Sequence, residues 1–214
     1  MQSHKSSGNI KPSCEKQVCI TDQYLAEFKE TVLGYSPLSD ESFSLFEAII
    51  NFQTLKKDQI LLNIGDVAKH IHFVCEGAIV AFFTDSEGNT YNKNIFLEKQ
   101  FAGSTVSALL KIPSEFTLQA IEKTTLISVD YYRYKELISK NDEVKNFYIS
   151  YLEKNWVIDK EQREISLVME NATTRYLKFL DRYPNIDTRI PLQHIASHLG
   201  ITPTQLSRIR KDLK

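Results

Sequence analysis

The sequence predicts an α+β fold: an N-terminal antiparallel β-roll with flanking helices, a long helix after it, and a C-terminal helix-turn-helix domain. Three observations predict it. Short apolar runs of strand length alternate with turn residues between about residues 52 and 129. A heptad of large side chains follows them. Finally, Leu192 to Ile209 carries small, glycine and apolar residues at the spacing of two crossing helices.

Composition bounds the class. The 214 residues are 42% hydrophobic and 25% charged, with 7 Gly and 6 Pro, which excludes a disordered, collagen-like or low-complexity chain. The densest apolar run, Ala78 to Phe83, is the size of a strand and far short of the roughly 18 residues of a membrane span. Residues 1–20 include Lys5, Lys11, Glu15 and Lys16 and have no apolar stretch, so they read as a flexible tail without a secretory signal. Three cysteines, Cys14, Cys19 and Cys75, are odd in number and too few for a disulfide framework. A cytoplasmic setting is expected.

After Thr21-Asp22, Tyr24, Leu25, Phe28, Val32 and Leu33 form a helical stripe that Gly34 and Pro37 stop. Ser39 to Ser42 can cap a second helix with Phe43, Leu45, Phe46, Ile49 and Ile50 on its apolar side. Strands are then expected at 59–62, 70–75, 79–84, 94–97, 116–121 and 125–129, with turns at Gly65-Asp66, Glu76-Gly77 and Asp85 to Asn89. Spacing this short implies an antiparallel roll rather than βαβ units. Helical periodicity returns at Asp142 and is interrupted at Tyr183-Pro184-Asn185 and Gly200. The expected divisions are a sensor-sized domain at 21–140, a long helix at 141–170 and a terminal domain at 171–214.

In the long helix Val144, Tyr148, Tyr151, Asn155, Ile158, Gln162, Ile165 and Met169 are spaced 4-3-4-3-4-3-4. Polar residues inside such a seam often set register and strand number, so a parallel homodimer through 141–170 is expected. The same stripe would also suit a helix lying across the β-domain as core.

The last two helices carry the most specific pattern. Ala196 is small where the helices cross, and Gly200 supplies the left-handed turn. Ile195, Leu199, Ile201, Leu206 and Ile209 form the wedge between them. Thr202 suits an N-cap and Pro203 the first helical position. The opposite face presents Thr204, Gln205, Arg208 and Lys211, with Arg210 to the side. Amide, hydroxyl and guanidinium groups at the start of such a helix suit a DNA major groove. Charge agrees: residues 172–214 hold eight Lys/Arg against three Asp, net +5, while the rest holds 18 basic and 24 acidic residues, net −6. A protein-binding helical hairpin is the alternative.

On these residues the chain resembles the cyclic-AMP receptor protein/Fnr superfamily of transcription regulators, from about residue 21 to 214. Leu61 to Asp66 and Ile71 to Gly77 are similar to that family's cyclic-nucleotide-binding-like jelly roll. Lys99 to Ser104 falls where the family has its phosphate-binding cassette. Arg189-Ile190-Pro191 before the helix-turn-helix is similar to a version common in Bacteroidetes-type bacteria. The resemblance implies a homodimer on roughly palindromic double-stranded DNA, with Thr204, Gln205 and Arg208 on base edges and Thr202, Arg210 and Lys211 on phosphates. It leaves room for contact with RNA polymerase and implies no catalysis, no cofactor and no membrane association.

The effector pocket would lie at Gly103, Ser104 and Ser114. The family's acid and arginine, which hold the ribose and the cyclic phosphate, are both replaced by serine, and Glu115 would repel a phosphate. Cyclic AMP is therefore not the expected ligand, and the effector is unknown. Three cysteines do not complete a four-cysteine cluster, although Cys14 and Cys19 would be open to oxidation. A rival reading takes His70, His72 and Glu76 as a cupin-like metal triad. Against it, alternation places Ile71, Phe73 and Cys75 inward and turns His70 and His72 to solvent. No histidine between His72 and His194 supplies a fourth ligand.

Overall fold

The computed structural model describes residues 13–88 and 90–213, with side chains from Ile20 onward. The side chains of Cys14 and Cys19 lie outside the described residues. Helix α1 spans Ser13–Leu33 and so starts before Thr21, inside the stretch expected to be a tail; residues 1–12 lie outside the described residues. Phe28 and Val32 are fully buried. Helix α2, Asp40–Glu47, is capped by the Ser39 hydroxyl, which accepts from the Ser42 amide. It ends earlier than its stripe predicts, because Ile50 opens strand β1, Ile50–Leu55.

The remaining strands are β2 Ile60–Leu62, β3 His70–Glu76, β4 Ile79–Thr84, β5 Thr90–Phe96, β6 Phe101–Ala102, β7 Thr117–Ala120 and β8 Thr124–Asp130. They form two four-stranded antiparallel sheets, β1-β8-β3-β6 and β2-β7-β4-β5. Strand β1 and the short helix α3, Thr105–Leu110, lack a readable period in the sequence. Between the sheets lies an interior of Val74, Ile79, Ala81, Leu118, Ala120 and Leu126, all essentially inaccessible.

Both outer faces are also covered. On the first sheet, Phe73, Cys75, Ile127 and Val129 pack under α1, α2, α4 (Tyr131–Lys140) and α5 (Asp142–Leu152). On the second, Val80, Ile95, Leu97 and Ile121 share a core with the C-terminal helices. Burial on both faces corrects the expectation for β3. The Phe73 face meets the helices and the His72–Val74 face meets the interior, so His72 is buried, not turned to solvent.

The long helix is interrupted by a π-helical turn, Glu153–Ile158, between α5 and α6, Asp159–Met169. A π-turn adds residues to one turn and rotates the side chains beyond it. The seam continuous in sequence is therefore divided in space. Val144 is fully buried in this chain's own core; Tyr148 and Tyr151 pack against it, and Asn155 Nδ2 donates to the Tyr35 hydroxyl at 3.1 Å. Ile158, Ile165 and Met169 remain 45%, 54% and 78% exposed. The core reading holds for the first half of the seam, and the second half is an uncovered apolar stripe.

Candidate nucleic-acid interface and effector pocket

The terminal domain comprises α7 Ala172–Arg182, α8 Ile186–Arg189, α9 Leu192–His198 and α10 Pro203–Asp212. Its core is built by the wedge the sequence predicts. Ile195, Ala196 and Leu206 are inaccessible, and Leu199 and Ile209 are buried. Gly200 has φ +70°, and a Cβ there would press on Leu167 of α6 at 3.3 Å. Thr202 is extended at φ −79°, ψ 154°, a geometry suited to a cap, and its Oγ1 accepts from the Gln205 amide at 3.1 Å.

With Leu206 and Ile209 pinned inward, α10 turns Thr204, Gln205, Arg208 and Lys211 to solvent. Arg210 differs. Its guanidinium donates to the Asp187 carboxylate at 3.0 Å, and Tyr176 donates to the same oxygen, so Arg210 braces α10 against α8. Arg208 and Lys211 are exposed and in no ion pair among the described residues, and Asp212, four residues after Arg208, is exposed as well.

This domain is joined to the roll by polar bonds as well as by the shared core. The Asn92 amide on β5 donates to Ser197 Oγ at 2.9 Å, and Asn92 Nδ2 lies 2.8 Å from His194 Nδ1. Gln100 donates to the Tyr183 hydroxyl at 2.7 Å. Arg189 pairs with Glu98 and Glu122, each at 2.6 Å. Glu98 also accepts from the Gly77 amide at 2.9 Å, which ties the β3–β4 turn into the same network. The sequence offered no signal for the pairs between roll and terminal domain, because their partners are 67 to 105 residues apart.

In the roll, the structure brings Ser104 and Ser114 together. Both are nearly inaccessible, and Ser114 Oγ donates to Ser104 Oγ at 3.0 Å. Ser114 Oγ also lies 2.8 Å from the Phe116 carbonyl. Gly103 packs on Ile71, where a Cβ would come within 3.2 Å. The two positions that the resemblance gives to ribose and phosphate ligands thus hold a pair of hydroxyls bonded to each other. Lys93 stands nearby with its Nζ 4.0 Å over the Phe116 ring. It occupies a β-bulge, because Ala81 pairs with Asn94 and Phe82 with Asn92.

The histidine reading does not survive the geometry. His72 Nδ1 lies 2.8 Å from Ser128 Oγ, its direct cross-strand partner, and Gln53 also donates to Ser128 at 2.7 Å. Burial, then the neighbouring His70, lowers the His72 pKa to about 3. Glu76 is exposed beyond a bulge and accepts from the Tyr24 hydroxyl at 2.8 Å. Four residues of strand separate it from His72, about 13 Å at ~3.3 Å per residue. Among the described residues no three His, Cys, Asp or Glu side chains converge to hold a metal ion. Cys75 is buried, and burial raises its thiol pKa to about 12, the state of an inert thiol. No helix of the described residues is long and apolar enough to cross a membrane.

Comparison with known proteins agrees with this architecture. Residues 52–141 match the family model of the cyclic nucleotide-binding domain. No curated protein sequence matches the chain. Among solved structures, FixK2 from Bradyrhizobium japonicum superposes with a TM-score of 0.63 at 18% identity, over 77% of this chain and 84% of that one. The c-di-GMP responsive global regulator CLP from Xanthomonas campestris gives 0.61 at 16% identity, over 82% and 91%. A putative cAMP-binding regulatory protein from Silicibacter pomeroyi DSS-3 gives 0.65 at 17% identity, over 82% and 81%. The fold is therefore that of a cyclic-nucleotide-binding β-roll followed by a long helix and C-terminal helices, as in these three structures.

Proposed function

We propose that the chain is a homodimeric, sequence-specific DNA-binding transcription regulator of the Crp/Fnr type, without catalytic activity. One observation carries the reading. Helix α10 buries Leu206 and Ile209 and presents Thr204, Gln205, Arg208 and Lys211 on one free face behind a capped N-terminus. Thr204, Gln205 and Arg208 would read base edges, and Lys211 with the helix N-terminus at Thr202 would hold phosphates. Arg210 acts through Asp187 as a brace. The exposed stripe Ile158, Gln162, Ile165 and Met169 supports pairing of two copies, and a parallel pair would set two α10 helices on a roughly palindromic site about 34 Å apart. The Arg189-Ile190-Pro191 lead-in supports the Bacteroidetes-type branch.

The sensor is read as one that has lost the cyclic-nucleotide ligand set, since Ser104 and Ser114 satisfy each other. Asn92–Ser197, Asn92–His194 and Arg189–Glu98 then give the roll a direct hold on α9 and the loop before it. The test is selection of random double-stranded DNA on the purified protein without added ligand at near-physiological salt. Enrichment of a two-fold symmetric motif is the expected result. Enrichment of nothing, with the protein sedimenting as a monomer, would overturn it.

A further inference from the structure

A cavity of about 850 Å³ extends beyond the roll into the junction of the long helix and the terminal domain. There its wall is made by Trp156 of the π-turn, Arg163 of α6, Arg182 and Tyr183 at the end of α7, and His198 of α9. The charge of this wall is one-sided. The two carboxylates that line the cavity, Glu98 and Asp159, are already paired with Arg189 and Lys154. Among the described residues, no carboxylate lies within ion-pair distance of Arg163 or Arg182.

Each cation keeps donors to spare. Arg163 gives one N–H to the His198 carbonyl at 3.3 Å, and the Arg182 guanidinium lies 5.4 Å from the Tyr183 ring centre. Desolvation lowers the Arg163 pKa with no anion to offset it. Between them the His198 ring packs tilted against Phe179, 5.3 Å between ring centres, and its Nδ1 finds no hydrogen-bond partner among the described residues. Planar guanidinium forks next to aromatic faces match a planar anion: the forks bind carboxylate or phosphate bidentately, and the rings cover its body. A π-turn at this spot also fits, since such turns are frequent at functional sites.

The long helix keeps this wall apart from the exposed seam. Asp159, Lys160, Arg163, Ser166 and Leu167 line the cavity. Their mean direction lies about 130° around α6 from that of Gln162 and Ile165 at ~100° per residue. A dimer formed through Ile165 would leave Arg163 off the seam.

We propose that this junction is a binding site for a small aromatic anion, a carboxylate or phosphate attached to a planar ring, held by Arg163 and Arg182 against Trp156 and Tyr183. Gly103 lines the same cavity at its roll end, but Ser104 and Ser114 do not line it, and the site does not depend on the DNA-binding reading. A ligand there would bridge α6 to the terminal domain.

Trp156 is the sole tryptophan of the sequence and reports the site directly. The full-length protein is titrated with phenyl phosphate, with benzoate and with phenol as the neutral control, following Trp156 fluorescence. A saturable change is expected with at least one anion and not with phenol, and the anion that saturates identifies the head group. Arg182→Gln and Arg163→Gln should each weaken that binding about tenfold or more. Arg182 is exposed, so its variant should melt at the wild-type temperature. Three outcomes would overturn the site: no saturation by either anion, equal binding of phenol, or unchanged affinity in Arg182→Gln. Loss of binding in Lys93→Gln with Arg182→Gln unaffected would place the ligand inside the roll and overturn it equally.

Discussion

The hydroxyls of Ser104 and Ser114, ten residues apart in sequence, are hydrogen-bonded to each other at 3.0 Å in the buried lip of the roll. Each occupies a position where the resembled family has a charged ligand group. A phosphate placed here would meet no cation at either serine and would have to break their bond. Cyclic AMP should therefore neither raise the melting temperature nor change DNA affinity. Ser114→Ala, which leaves Ser104 without this partner, should cost roughly 1–2 kcal/mol in denaturant unfolding. A saturable calorimetric signal with cyclic AMP would contradict the first statement.

His72 makes stability depend on pH in a defined direction. Its pKa is lowered to about 3 in the folded chain against 6.5 for a free imidazole. Above pH 6.5 both states leave it neutral and it contributes no slope. Below 6.5 the unfolded chain takes up a proton that the folded chain refuses, so stability falls by about 1.4 kcal/mol per pH unit down to about pH 3. Urea unfolding between pH 7 and 4 should show this slope together with a similar one from His198, whose pKa burial lowers to about 4, and His72→Gln should remove roughly half of the total.

Gly77 is irreplaceable for two reasons. Its φ is +96°, and a Cβ would lie 2.6 Å from the Lys123 carbonyl and 2.8 Å from Thr124 Cα, both backbone atoms that cannot swing aside. Gly77→Ala should destabilise by roughly 3 kcal/mol or more. Gly88, also at positive φ but with open space around it, should tolerate the same change at a cost of about 1 kcal/mol. Thermal melts of the two variants side by side test the difference.

Arg208 and Lys211 should separate by the kind of DNA contact each makes. Arg208→Ala should cost roughly 1–3 kcal/mol on the selected site and relax preference at one base pair. Lys211→Ala should weaken all sequences alike and flatten the salt dependence by about one unit. Equal losses for Arg208→Ala on specific and random DNA would remove it from base reading.

The local elements were legible where one residue type answers one local demand. Thr202, Pro203 and Gly200 announce a cap, a first turn and a left-handed corner, and the structure shows each. The wedge of Ile195, Leu199, Leu206 and Ile209 was legible for the same reason, since helical spacing places those side chains on one side. Where a segment is covered from both sides, periodicity loses its meaning. Strand β3 is buried on both faces, so alternation could not tell that His72 faces the interior. The heptad from Val144 to Met169 failed midway because a π-turn changes the residues per turn without leaving a sign in the spacing.

By itself the sequence determined six of the eight strands and most of the helices in order, the helix-turn-helix with its exposed basic face, and the missing charges at Ser104 and Ser114. These follow from backbone preference and side-chain chemistry, which act within a few residues. Only the tertiary structure decided which half of the long helix remains open, that Arg210 is spent on Asp187, and that Arg163, Arg182 and His198 meet at one cavity. Those outcomes depend on the packing of elements far apart in the chain. Shape complementarity and competition for hydrogen-bond partners set that packing, and neither is written in local spacing.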